Sequence, residues 1–198
     1  AARAFADEFV RVAGETRSNI KLAEADGQVT DINGPGLAVS DAHRSELLER
    51  IKRLAPAHEL VVVAGSLPRG VNDEWFVELL RLLKQMGTRV ALDTSGAALR
   101  VGLATAPWLI KPNEEELAEA RDIELAEPEA LAQEARRLQV EGIEHVVVSQ
   151  GADGVSWFAP GAGLHAYPPK VRVVSTVGAG DSLLAGMLHG LLEGWPAE

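Results

Sequence analysis

The chain predicts an α/β fold built on a mostly parallel sheet. Short apolar runs of strand character alternate with stretches whose apolar residues recur at helical spacing. Strands alternating with helices imply crossover connections, and so a parallel sheet with helices on both faces. Each polar or Gly-rich cluster (65–70, 93–96, 111–116, 149–154, 178–181) also falls at the carboxyl end of a strand-like run. That is the edge where such sheets bind ligands. A length of 198 residues, 46% hydrophobic, fits one globular domain over 1–198 with a substantial core.

The elements follow in order. Residues 9–12 read as extended. Residues 18–22 and 29–32 alternate polar with apolar around Asp26-Gly27, a hairpin turn signal, so this hairpin within 15–36 should be covered on one face only. Gly34-Pro35-Gly36 then breaks the chain. Ser40 or Asp41 caps a helix carrying Leu47, Leu48, Ile51 and Leu54. Residues 60–64 form a short apolar run of the kind buried on both faces in parallel sheets. Asn72 or Asp73 opens a helix with Trp75, Phe76, Leu79, Leu80 and Leu83, followed by a strand over 89–92. A short helix over 97–104, a strand over 108–110 and a helix over 114–121 come next. A further helix over 128–139 precedes a strand over 145–149. Residues 155–158 and 164–167 suggest an antiparallel edge before a final strand over 171–174 and a last helix through Leu183, Leu184, Met187, Leu188 and Leu191.

Composition narrows the function classes. A net charge of −10 argues against nucleic acid or an anionic membrane as the main partner. No apolar run is long enough to span a bilayer and no signal-peptide pattern opens the chain, so a cytoplasmic protein is expected. The absence of Cys excludes disulfides and thiolate metal sites. Neither a Gly-x-Ser-x-Gly elbow nor a Walker P-loop occurs. The ends, Ala1-Ala2-Arg3 and Trp195-Pro196-Ala197-Glu198, read like those of an interior piece of a longer protein.

The stretch around which the chain is organised is Ser175-Thr176-Val177-Gly178-Ala179-Gly180-Asp181-Ser182. Small residues at a strand-to-helix junction let backbone approach a ligand, and the first free N–H groups of the helix form an anion cradle. A carboxylate there repels phosphate, so Asp181 suggests chemistry, as a base taking a hydroxyl proton; the alternative is a helix cap. Asn113 and Glu116, three apart at a helix start, suit waters around Mg²⁺ or, equally, a capping box. Glu114 and Glu115 read as solvated first-turn acids. The loop 149–154 lies against a nucleotide or is an ordinary turn. Arg17 forks onto a phosphate or is a surface arginine. Ser66 is a binding hydroxyl or a turn residue. The five His lack metal-ligand spacing and receive no role.

Thr16-Arg17-Ser18-Asn19, Gly65-Ser66-Leu67-Pro68, Lys111-Pro112-Asn113-Glu114-Glu115-Glu116, Ser149-Gln150-Gly151-Ala152-Asp153-Gly154 and the 175–182 stretch occur in this order over nearly the whole chain. Together they resemble the ribokinase-like sugar kinases of the phosphofructokinase B branch, most closely those acting on phosphorylated hexoses. The resemblance implies a three-layer ribokinase-like fold with a small β lid, the hairpin within 15–36. It implies transfer from ATP, with Mg²⁺, to a hydroxyl of a phosphorylated hexose: fructose 1-phosphate first, with fructose 6-phosphate and tagatose 6-phosphate as alternatives. Asp181 would be the base, and the amides of Gly178, Ala179 and Gly180 the anion hole. Lys111, Asn113, Ser149, Gly151, Ala152, Asp153, Gly154 and Thr176 would contact nucleotide. Asn113 and Glu116 would serve the metal, and Arg17, Ser66 and Asp181 the sugar phosphate. A homodimer through the lid is implied by analogy. The family's amino-terminal third and its carboxyl-terminal segment over the purine have no counterpart here, which keeps a non-catalytic nucleotide- or sugar-phosphate-binding module as the rival reading.

Overall fold

The structure is a computed structural model and describes residues 6–23, 29–125, 127–169 and 177–196. The chain divides into two compact units, Ala1–Pro107 and Trp108–Glu198.

In the first unit, β1 (Asn19–Ala23) pairs antiparallel with β2 (Val29–Asn33), Ile20 opposite Ile32 and Leu22 opposite Thr30. The Asp26-Gly27 turn lies outside the described residues. Ile20, Leu22 and Ile32 share a face by the strand period, and that face is exposed. Helix α1 (Asp41–Leu54) takes Ser40 as its cap: Ser40 Oγ accepts from the His43 amide, and His43 Nδ1 accepts from the Ser40 amide. Strand β3 (Leu60–Ala64) runs parallel to β4 (Arg89–Asp93), with Leu60 opposite Arg89 and Ala64 opposite Asp93. Between them α2 (Asp73–Gln85) starts at Asn72, whose Oδ1 accepts from the Trp75 amide at 3.1 Å. The helix buries Phe76, Leu79, Leu80 and Leu83, one face at helical spacing. Helix α3 (Gly96–Leu103) closes the unit with Leu99 and Leu103 in the core.

Three expectations fail here, the first being that the hairpin is covered on one face: its apolar face is in solvent. Residues 9–12 join no strand; Arg50 donates to the Phe9 carbonyl at 3.0 Å and Arg53 to Glu8 at 2.7 Å, so side chains of α1 hold this segment in place of a ladder. The run at 60–64 is not buried on both faces. Val62 is 46% exposed and α1 has no buried residue, whereas in neighbouring β4 Val90, Ala91 and Leu92 are all buried.

In the second unit β5 (Leu109–Ile110) runs parallel to β6 (His145–Ser149). Strand β7 (Val155–Ala159) pairs antiparallel with β6, and β8 (Ala162–Ala166) antiparallel with β7, as the sequence suggests for that edge. Val146, Val147 and Val148 are fully buried. Helices α4 (Glu114–Arg121), α5 (Pro128–Val140) and α6 (Ala179–Leu192) contribute Leu117, Leu131, Leu138, Leu184 and Leu188 to the core. Glu134 of α5, 2% exposed, accepts from Arg121 Nε at 2.6 Å, and Arg121 also donates to both oxygens of Glu141. The Glu141 hydrogen bond, aided by Glu134 and opposed by burial, holds the Arg121 guanidinium above its ordinary pKa. The strand expected over 171–174 lies outside the described residues. Among the described residues, no helix is long and apolar enough to cross a membrane.

Candidate active site

Most of the residues proposed from sequence belong to the second unit. Helix α6 begins at Gly178, which adopts the left-handed conformation (φ 77°) and has no side chain to cap the helix. Ala179, Gly180 and Asp181 form the uncapped first turn, and the Ser182 amide donates to the Gly178 carbonyl at 2.9 Å. Asp181 is therefore not the helix cap; it lies inside the first turn with its side chain exposed. It stands in the turn whose N–H groups have no intrahelical partner and attract anions.

Lys111, just past β5, is buried, and its ammonium lies against this turn. A Cβ placed on Gly180 would come within 3.2 Å of Lys111 Nζ. A buried cation beside an uncapped helix start makes this corner electropositive. Thr176 lies outside the described residues.

Asn113 and Glu116 form the capping box of α4. Asn113 Oδ1 accepts from the Glu116 amide at 2.8 Å, and Glu116 Oε2 accepts from the Asn113 amide at 2.9 Å. The cap reading of this pair is thus geometrically realised. It leaves the second oxygen of the half-buried Glu116 for a further partner. Among the described residues no group of three or more His, Asp or Glu could hold a metal ion alone. Mg²⁺ suits such a place, because it keeps several waters and takes only one or two carboxylates alongside substrate phosphates.

The loop 149–154 is brought directly to this pair. Asn113 and Ser149 form a parallel bridge, the Ser149 amide donating to the Pro112 carbonyl at 3.1 Å. The loop closes on itself: the Gln150 amide donates to the Gly154 carbonyl at 2.8 Å and the Asp153 amide to the Gln150 carbonyl at 3.0 Å, around a 3-10 turn over Gly151–Asp153. Gly154 is required there. Its φ is 108°, and a Cβ would fall 2.1 Å from the Ala166 carbonyl oxygen.

Arg17 and Ser66 belong to the first unit. Arg17 is exposed beside the turn 34–36: the Gly34 amide donates to the Ser18 carbonyl at 3.0 Å, and a Cβ on Gly36 would lie 3.5 Å from Arg17 Cδ. Arg69, from the same loop as Ser66, donates to the Gly36 carbonyl at 2.9 Å. Ser66 is exposed just past Gly65, whose amide donates to the Asp93 carbonyl and whose carbonyl accepts from Thr94 Oγ1, both at 2.9 Å.

Sequence reading missed one group of residues. Glu114 is not a freely solvated acid: half-buried, its Oε1 accepts from Gln150 Nε2 at 2.8 Å. Ser156 Oγ donates to Gln150 Oε1 at 2.7 Å and lies 3.0 Å from His165 Nδ1. His165 Nε2 lies 2.9 Å from the Asp153 carbonyl oxygen. Folding β7 onto β8 about Pro160-Gly161 places Ser156 opposite His165, and that register was the available signal.

The pfkB family carbohydrate kinases match residues 6–198. The 1-phosphofructokinase of Vibrio cholerae is 44% identical over 187 residues, covering 94% of this chain and 59% of that protein. The structure of phosphofructokinase-2 from Escherichia coli in complex with fructose-6-phosphate superimposes with a TM-score of 0.80 at 31% identity, over 90% of this chain and 59% of that one. Ribokinase from Arabidopsis thaliana, complexed with ribose and ATP, gives 0.66 at 22% identity over 90% of this chain and 57% of that one, a likeness of fold alone. The fold is ribokinase-like. The chain spans about 60% of the length of the curated relatives it matches.

Proposed function

Since the chain belongs to the pfkB family of carbohydrate kinases, we propose that the protein transfers the terminal phosphoryl group of ATP to a hydroxyl of a phosphorylated hexose, converting fructose 1-phosphate to fructose 1,6-bisphosphate. The observation that carries this is the start of α6: an uncapped turn holding Asp181, with the buried Lys111 ammonium against Gly180. Asp181 takes the proton of the acceptor hydroxyl as its oxygen bonds to the γ-phosphorus, and the bond from that phosphorus to the bridging oxygen of ADP breaks. The amides of Gly178, Ala179 and Gly180 donate to the phosphoryl oxygens in flight, where fixed dipoles act most strongly. Lys111, Asn113, Ser149 and the Gly151–Gly154 turn contact the nucleotide, a role the family resemblance also gives Thr176. Arg17 and Ser66 hold the phosphate already on the sugar. Glu116 and Asn113 would hold Mg²⁺, which would supply positive charge to the nucleotide phosphates. The exposed face of Ile20, Leu22 and Ile32 supports pairing of two lids in a homodimer. The place of action is the cytoplasm.

A coupled ADP-release assay with fructose 1-phosphate, fructose 6-phosphate and tagatose 6-phosphate tests the reading. Turnover fastest on fructose 1-phosphate is expected. Faster turnover on another sugar renames the substrate, and no turnover on any, with ADP still bound, favours the binding-module reading.

A further inference from the structure

Two consecutive residues at the start of α4 engage the loop 149–154, each in its own way. Asn113 does so through backbone: it bridges Ser149, whose amide donates to the Pro112 carbonyl at 3.1 Å. Glu114 does so through its side chain, Oε1 accepting from Gln150 Nε2 at 2.8 Å. The second contact is not needed to shape the turn. The backbone closes it, the Gln150 amide donating to the Gly154 carbonyl and the Asp153 amide to the Gln150 carbonyl. Its bearing on α4 is a separate matter, and two ties fix what one would leave free to pivot.

The chemistry of the groups orients the amide. A carboxylate only accepts, so Gln150 turns its NH₂ to Glu114 and its carbonyl oxygen the other way. That oxygen accepts at 2.7 Å from Oγ of Ser156, a buried residue of β7. One side chain thus uses a donor and an acceptor at once, on two different elements, which an apolar side chain of the same length could not do. The bond to Glu114 is charge-assisted, about twice as strong as a neutral one, and both side chains are half-buried. Glu114 also holds the first position of α4, where the helix dipole favours negative charge.

We infer that Gln150 is a positioning residue: its amide clamps the loop 149–154 between Glu114 of α4 and Ser156 of β7, and so fixes the turn against the capping box of Asn113 and Glu116. The consequence for nucleotide binding rests on the function proposed above. Under that reading the turn and the box address one ligand, the turn its nucleotide and the box its metal. A small change in their mutual bearing then costs affinity although no contacting group has been removed.

The test removes the amide and then exchanges the two partners. In Gln150→Leu the Asp153 and Gly154 amides should exchange their hydrogens with solvent about tenfold faster, and those of residues 146–148 in β6 at unchanged rates. Gln150→Glu sets two carboxylates against each other and should accelerate the loop amides further. Adding Glu114→Gln to Gln150→Glu again sets a donor against an acceptor, with the Ser156 bond kept, and should bring exchange back to within about threefold of the wild type. Equal exchange in the wild type and Gln150→Leu overturns the proposal, as does an acceleration shared by β6, which would be a loss of the fold and not of a tie. No recovery in the exchanged pair overturns Glu114 as the partner. Calorimetry with ADP then reads the consequence: Gln150→Leu should bind about tenfold more weakly. Equal affinity overturns the role toward nucleotide. Binding by neither protein defeats the nucleotide reading, while the exchange rates still decide the clamp.

Discussion

The two units differ in how far their apolar surface is closed. In the first, β4 is buried, yet β3 beside it exposes Val62, α1 buries nothing and the hairpin shows Ile20, Leu22 and Ile32. In the second, β5 and β6 are sealed and even the charged Glu134 is buried, held by Arg121. The groups proposed for chemistry (Lys111, Asn113, Glu116, Asp181) lie in the closed unit, and those proposed to receive the sugar phosphate (Arg17, Ser66) in the open one. Electrostatic catalysis needs donors that do not reorganise, whereas capture and release of substrate tolerate and often use mobile elements. The unevenness of packing thus matches a division of labour.

Asp181→Asn tests that division most severely. Turnover should fall about 10³-fold or more, with ADP affinity nearly unchanged. Equal loss of both would sink the role of base. Next in size, Arg121→Met leaves the buried Glu134 carboxylate only its longer contact with Arg137, at 3.4 Å, and should cost the second unit about 3 kcal/mol by urea unfolding. Hydrogen exchange should register the loss around Leu138 and Ile143 but not in β4; a uniform loss would mean that the units do not respond separately. A third comparison uses one substitution twice. Val147→Thr, in a fully buried strand, should cost about 2 kcal/mol, and Val62→Thr, half in water, less than about 0.5. Comparable costs would show that β3 is covered in solution. The smallest effect concerns Glu8, whose bond to Arg53 holds its carboxyl below the ordinary value. A depressed folded pKa contributes stability above the unfolded value that fades as pH falls through the folded one. Glu8→Gln should accordingly remove a slight acid-side slope in Tm and leave neutral-pH behaviour almost unchanged.

How much was legible depended on how local the cause was. The starts of α1, α2 and α4 could be read because a cap and its partner lie three residues apart, as in Ser40-His43, Asn72-Trp75 and Asn113-Glu116. Strand β6 was legible because Val146 to Val148 are apolar without interruption. The same inference failed at β3, since an apolar run reports what a strand can bury and not whether neighbours arrive to bury it. The sequence singled out the clusters now proposed for the site, but not the Glu114–Gln150–Ser156–His165 chain. Its members are spread over fifty residues of sequence and meet only through the register of β7 on β8 and the juxtaposition of Asn113 with Ser149.

The self-closed loop of residues 149–154 has a thermodynamic consequence. Its turn is already knitted by the bonds from Gln150 to Gly154 and from Asp153 to Gln150, and Gly154 is seated under the Ala166 carbonyl. Were the proposed nucleotide to dock against it, the backbone it meets would already be set, so little conformational entropy would be lost in docking. Calorimetric titration should therefore show association with a small heat-capacity change, unlike the large one that accompanies a segment folding around its ligand.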